Sequence, residues 1–312
     1  MIRVLLYLLL PLFIPSTATG VEDTQDICTE YLHERTEAGP GPEPEGSIPY
    51  GTGLLWKIGY ESGTSVHLFG TIHSQDRLVI TLPPAVRLAL AQSRRLVLEV
   101  VPGAEADRVF AEALYFGDGT ELEALLDRSV YRRLKEMIAA YGITGENVAR
   151  LKPWAAFTLI GRPRPVNAPT QEVTLMQAAL AANKTIRGLE SMEELVAALD
   201  GISRDDQIEI LNDTVCNHAS LIRNNRDLVE HYARRDLAGI AAFSQGPHHD
   251  EAVFDRFMQR MLHDRNDRML ARIEYYLREG GAFIAVGALH LPGERGLLLA
   301  LERRGHAITP VY

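Results

Sequence analysis

Apolar positions fall into two rhythms along this chain. Short runs rich in β-branched and aromatic residues occur at 54–59, 65–70, 96–100, 185–190, 281–287 and 306–311, and each predicts a strand. The first two flank a glycine-bearing turn, Glu61-Ser-Gly-Thr64, and read as a hairpin. Between about 104 and 279 the spacing becomes helical. Val130, Leu134, Met137, Ile138 and Tyr141 stand at i, i+3, i+4 intervals, the pattern of an amphipathic helix over 129–141. Further helices are expected at 85–93, 172–183 and 295–302, with long ones at about 205–235 and 251–278. Pro153 can open another helix, and Ser191 with Glu194 fits a capping box.

Two of the strands end alike. Val66-His-Leu-Phe-Gly-Thr-Ile-His73 closes in Gly70-x-x-His73, and Ala282-Phe-Ile-Ala-Val-Gly-Ala-Leu-His290 closes in Gly287-x-x-His290. With 25 Gly and 10 His in 312 residues, about one such match arises by chance, and Gly246-Pro-His-His249 is a third with no strand before it. Context therefore decides. Each of the first two is followed by a proline-bearing turn, a helix, a basic pair (Arg94-Arg95, Arg303-Arg304) and another strand. Each half reads as a right-handed βαβ unit. The expected fold is α/β, a mixed central sheet built from two related strand-GxxH-helix-strand units with a large helical insertion at about 104–279. Ligands of such sheets bind at the carboxyl ends of strands, so His73 and His290 are expected side by side.

The flanks change where this fold is expected to work. Arg3, the apolar run 4–14 and the small residues Ser16-Thr-Ala-Thr-Gly20 read as a secretory signal over 1–20. The Pro/Gly-rich stretch 38–49 marks 21–49 as a flexible arm, leaving 50–312 as the folded domain. No later stretch matches the apolar run, so no stable membrane anchor is expected after cleavage, and the location is secreted or periplasmic. The formal charge of −9 argues against nucleic acid as a partner. Cys28 and Cys216 can pair in an oxidising compartment or stand as two buried thiols, and spacing does not choose. The pair His248-His249 reads as a solvated loop or as a metal-binding pair.

Candidate chemistry gathers at strand ends. His73 and His290 supply imidazole nitrogens, and Glu99 interrupts the apolar run Leu-Val-Leu-Glu-Val that ends the first unit. A carboxylate buried there without a partner or a metal would be costly. Glu190 ends the strand 185–190, where a substrate contact and a pre-helix residue favoured by the helix dipole are both consistent with its position. Arg265, with Asn266 beside it, lies in the last long helix, which feeds the strand leading to His290. An arginine there could stabilise an oxyanion, or it could be an ordinary helix-surface arginine.

In combination, Leu54-Leu-Trp-Lys-Ile, Leu68-Phe-Gly-Thr-Ile-His-Ser74, Leu96-Val-Leu-Glu99, Leu151-Lys-Pro-Trp154, Gly188-Leu-Glu190, Arg265-Asn266 and Val286-Gly-Ala-Leu-His-Leu-Pro-Gly-Glu-Arg resemble the TraB/GumN family, which includes the animal TIKI proteins. The resemblance spans 53–312. It implies a metal-dependent hydrolase, with proteolysis attributed to the TIKI branch, whose active centre combines two GxxH histidines and a glutamate. Carried over, His73, His290 and Glu99 would hold a divalent metal (manganese, cobalt or zinc), with Glu99 as third ligand or base. Arg265 and Asn266 would match the family's Arg-Asn pair; Glu190, which lies in the matching Gly188-Leu-Glu190, is the candidate contact for a peptide or protein substrate. One departure stands out: where many bacterial members carry Gly-x-Asp, this chain reads Ala168-Pro-Thr-Gln-Glu172. A non-catalytic peptide or metal-ligand binder using the same cleft is the alternative reading, and a scaffold without metal is a third.

Overall fold

The computed structural model describes residues 26–31, 48–59, 65–164, 166, 168–244 and 248–312. The six strands expected from the apolar runs are present: β1 (Leu55–Gly59), β2 (Val66–Thr71), β3 (Arg95–Leu98), β4 (Thr185–Gly188), β5 (Ala282–Gly287) and β6 (Ala307–Pro310). They form one sheet in the order β4-β3-β5-β2-β1-β6. β5 pairs in parallel with both β2 and β3, and β3 with β4, while β1 is antiparallel to β2 and to β6. The sheet is therefore mixed, with β1 alone reversed. The 61–64 turn lies outside the described residues, but the register from Leu55↔Phe69 to Ile58↔Val66 is that of the expected hairpin.

All of β2 and nearly all of β5 is buried. Strands covered on both faces carry continuous apolar runs in place of alternation, which explains why these two were the plainest in the sequence. The connection from β2 to β3 runs through helix Pro84–Gln92, and β5 enters the sheet between those two strands. The connection from β5 to β6 runs through helix Leu297–Arg303 and passes β2 and β1.

A second apolar core lies among the helices that follow β3. Helix Arg128–Ala139 buries Val130, Tyr131, Leu134 and Ile138, and helix Pro153–Ile160 buries Trp154, Phe157 and Ile160 beside Leu211 and Val215. Residues 26–31, within the segment expected to be a flexible arm, are docked onto this core. Cys28 is disulfide-bonded to Cys216, the Tyr31 hydroxyl donates to Glu209 Oε2 at 2.7 Å, and Asp26 pairs with Arg133. His249 stacks on Tyr31 with ring centroids 3.9 Å apart, and His248 stacks on Phe254 at 3.5 Å. The loop that carries them is therefore packed: His249 lies against the docked turn and His248 against the following helix, both half-buried.

The two long helices are subdivided. The first is broken into Arg204–Cys216 and His218–Ala233 at Asn217, whose side-chain amide donates to the Asp213 carbonyl and carboxylate. Such local bonding competes with the helical ladder. The second passes from Glu251–Met258 through a π turn, Gln259–His263, into Asp264–Glu279. Wide turns of this kind recur at functional sites, and Arg265 follows immediately. Among the described residues no helix is long and apolar enough to cross a membrane.

Candidate active site

Parallel pairing of β2 with β5 puts Gly70 opposite Val286 and Thr71 opposite Gly287. The two GxxH segments therefore leave the sheet at the same edge, from neighbouring strands. After β5 the chain closes into a 3-10 turn, Ala288–His290, and Gly70 packs on that turn. A Cβ at position 70 would stand 2.8 Å from Leu291 Cδ1 and 3.2 Å from Ala288 Cα, so the glycine of one motif is what lets it approach the other. Gly287 has a different use: its N–H donates to Glu99 Oε2 at 3.3 Å.

Around His290 the structure assembles most of the expected residues. Its Nε2 lies 3.0 Å from Glu99 Oε1, and its Nδ1 lies 2.6 Å from Asn266 Oδ1. The Asn266 amide nitrogen donates to the Arg295 carbonyl at 2.9 Å, which leaves Oδ1 to accept from His290. Nδ1 then carries a proton, and Nε2 is the nitrogen turned toward Glu99. Arg265 is buried between two carboxylates, with Nη2 3.1 Å from Glu99 Oε1 and Nε 2.8 Å from Glu190 Oε2. Removal from water opposes ionisation of Glu99, but His290, Arg265 and the Gly287 N–H outweigh it and hold the carboxyl down at about 2. Burial likewise disfavours the Arg265 charge, yet Glu99 and Glu190 raise its pKa above the usual arginine value.

Glu190 has a side chain with 0% exposure, and its second oxygen accepts from Arg268 at 2.8 Å. Both oxygens are thus committed to arginines, so Glu190 has none left to contact a substrate directly. Arg268 was not among the residues expected at the site. Its signal would have been a second arginine three residues beyond Arg265, on the same helical face.

His73 stands apart from this cluster. Its side chain is 61% exposed, with Nδ1 3.4 Å from Glu172 Oε2. The loop bearing it is fixed from below. Ile72 N–H donates to Gln171 Oε1 at 3.2 Å, Gln171 Nε2 donates to the Val79 carbonyl at 2.8 Å, and the Tyr232 hydroxyl donates to the Gly70 carbonyl at 2.8 Å. Gln171, Glu172 and Tyr232 escaped sequence reasoning. Glu172 sits where the family pattern departs, but an acidic residue in the first turn of a helix is ordinarily a dipole partner.

Among the described residues no three His, Cys, Asp or Glu side chains converge as a metal cage. The donors form two pairs, Glu99 with His290 and His73 with Glu172. Their chemistry, imidazole nitrogen with carboxylate oxygen, suits manganese, cobalt or zinc. Glu172 Oε2 is buried and accepts no hydrogen bond, with the His73 ring 3.4 Å away as its ion-pair partner. By donor type the residues fit a divalent ion.

A mixed α/β sheet with two glycine-histidine loops at one edge, backed by an arginine-carboxylate network, defines the class of protein. The chain belongs to the TraB/PrgY/gumN family, whose model matches residues 54–310. It is 25% identical over 297 residues to metalloprotease TIKI2 of Danio rerio, covering 78% of this chain and 57% of that protein. Metalloprotease TIKI2 of Xenopus tropicalis is 24% identical over 82% of this chain and 59% of its own length. Metalloprotease TIKI1 of Homo sapiens is 23% identical over 82% and 61%. The chain thus spans about three fifths of the length of these curated relatives. No solved structure matches it.

Proposed function

We propose that this protein is an exported, metal-dependent hydrolase that cleaves peptide bonds, with His73, Glu99 and His290 as the residues that hold the metal. The observation that carries the reading is the Glu99–His290 pair at 3.0 Å, braced by Asn266 and Arg265, beside the loop that bears the second motif histidine. The names of the TIKI relatives agree with it. The Cys28–Cys216 disulfide agrees with an exported location.

In this reading a bound divalent ion supplies Lewis acidity and an activated water. The chain's own residues do the rest. Asn266 fixes the His290 ring through Nδ1, and Nε2, the nitrogen facing Glu99, is the one a metal would take in place of a proton. Glu99 is held ionised at neutral pH, as both a ligand and a general base must be. Arg265 locks the Glu99 carboxylate in place, with Glu190 and Arg268 anchoring Arg265 from behind. His73, the exposed member of the set, faces the cleft through which a substrate enters.

The test is metal analysis of the purified protein, followed by peptide-library cleavage with wild type, chelator-treated wild type and His73→Ala. Bound manganese, cobalt or zinc with cleavage that both treatments abolish is the expected result. Uptake without cleavage would favour the binding-protein reading, and absence of uptake by the wild type would sink the proposal.

A further inference from the structure

His73 opens into a cavity of about 540 Å³ whose walls include Arg77, Arg162, Arg164 and Asn225. Asp76 is the acidic residue in that wall, and its carboxylate is already engaged, accepting the Leu78 N–H at 2.8 Å as a helix N-cap. The three arginines are exposed, and among the described residues none of their guanidinium groups bonds to a carboxylate. Arg108, Arg234, Arg256, Arg272 and Arg303, by contrast, are each paired with an acid.

Pro163 and Arg164 also line a second cavity, of about 640 Å³, so the two adjoin at these residues. The wall there is largely apolar, with Met137, Tyr141, Ile222 and Ala219, and it also includes Glu136 and His218. Burial lowers the pKa of His218, and Arg164 adds to that effect, a sign that the arginine's field reaches into the groove.

We infer that this groove selects a polypeptide segment carrying a carboxylate side chain next to His73 and an apolar side chain further along. The inference rests on the peptide-hydrolase reading and names its substrate class. A net-negative protein repels acidic chains at long range, so an acidic substrate needs a local cationic patch. Arginine supplies one whose planar fork grips a carboxylate through two parallel hydrogen bonds. The apolar extension matches a neighbouring side chain that buries surface.

Two fluorescent hexapeptides that differ only in Glu or Gln at one position, each with a reduced central amide so that neither is cleaved, are titrated against the wild type and against Arg162→Ala/Arg164→Ala. Wild type should bind the Glu peptide about tenfold more tightly, with the margin shrinking as salt rises, and the double variant should lose most of that preference. Arg164→Glu should turn the preference toward a Lys peptide. Equal binding of the Glu and Gln peptides, or tight binding of a sulfated polysaccharide with no peptide preference, overturns the inference. The companion assay uses cleavable versions. A Glu preference in binding with no cleavage would sink the hydrolase reading and leave this one, whereas cleavage without a Glu preference would do the reverse.

Discussion

Arg265 is the residue on which the candidate site turns. It contacts carboxylates 166 and 75 positions away in sequence, which is why composition did not separate it from a helix-surface arginine. Glu99 was legible because it puts a charge at the end of a buried apolar strand, a placement that demands a partner, whereas Glu190 follows the largely exposed β4 and read equally well as a pre-helix residue. The identity of that partner was not legible, since no local pattern encodes a contact across the sheet. Replacing the guanidinium leaves two buried carboxylates without their shared cation. Arg265→Ala should therefore destabilise the fold by about 3–5 kcal/mol, read from the urea midpoint. Arg265→Lys should recover little, because one ammonium cannot reproduce a fork that serves two carboxylates.

At the scale of elements, strands were easier to read than helix boundaries. β2 and β5 are buried on both faces and stand out as apolar runs, whereas the break at Asn217 depends on one side chain turning back to Asp213. The capping box at Ser191 was legible and is present, with Glu194 Oε2 accepting the Ser191 N–H at 2.9 Å. Unforeseen was Arg272, which grips the same carboxylate at 2.6 Å. Arg272 is the main cause that holds the Glu194 carboxyl down at about 2, against a reference value of 4.5. Because the folded value lies below the unfolded one, this contribution is complete above about pH 4.5 and fades as pH falls toward 2. Glu194→Gln should accordingly lower thermal stability at pH 7 and converge with wild type near pH 2. The pair is partly exposed, so the difference at pH 7 is about 1 kcal/mol or less.

For the whole molecule, the sequence pattern carried the class of sheet, the region of helical cover and the meeting of the two motif strands. The docking of 26–31 was not legible, because Pro and Gly after it made the entire stretch look like an arm. A disulfide, a buried tyrosine and one stacked histidine, His249, hold that turn to the helical core. The bond closes a loop with a sequence separation of 188, a length the pattern of residues could not connect. Reduction, or Cys28→Ser, should cost about 2–5 kcal/mol, measured as a lower calorimetric midpoint under reducing conditions. An unchanged midpoint would mean that the turn contributes nothing to the fold.

The central claim is that donors from two neighbouring strands serve one divalent ion, although His73 and His290 keep separate carboxylate partners. Cobalt titration followed by visible absorption tests it most directly, using wild type, His73→Ala and His290→Ala. One ion shared by both motifs gives one saturable spectrum in the wild type and a loss of affinity of about 100-fold in each variant. Wild-type affinity in His73→Ala would contradict it.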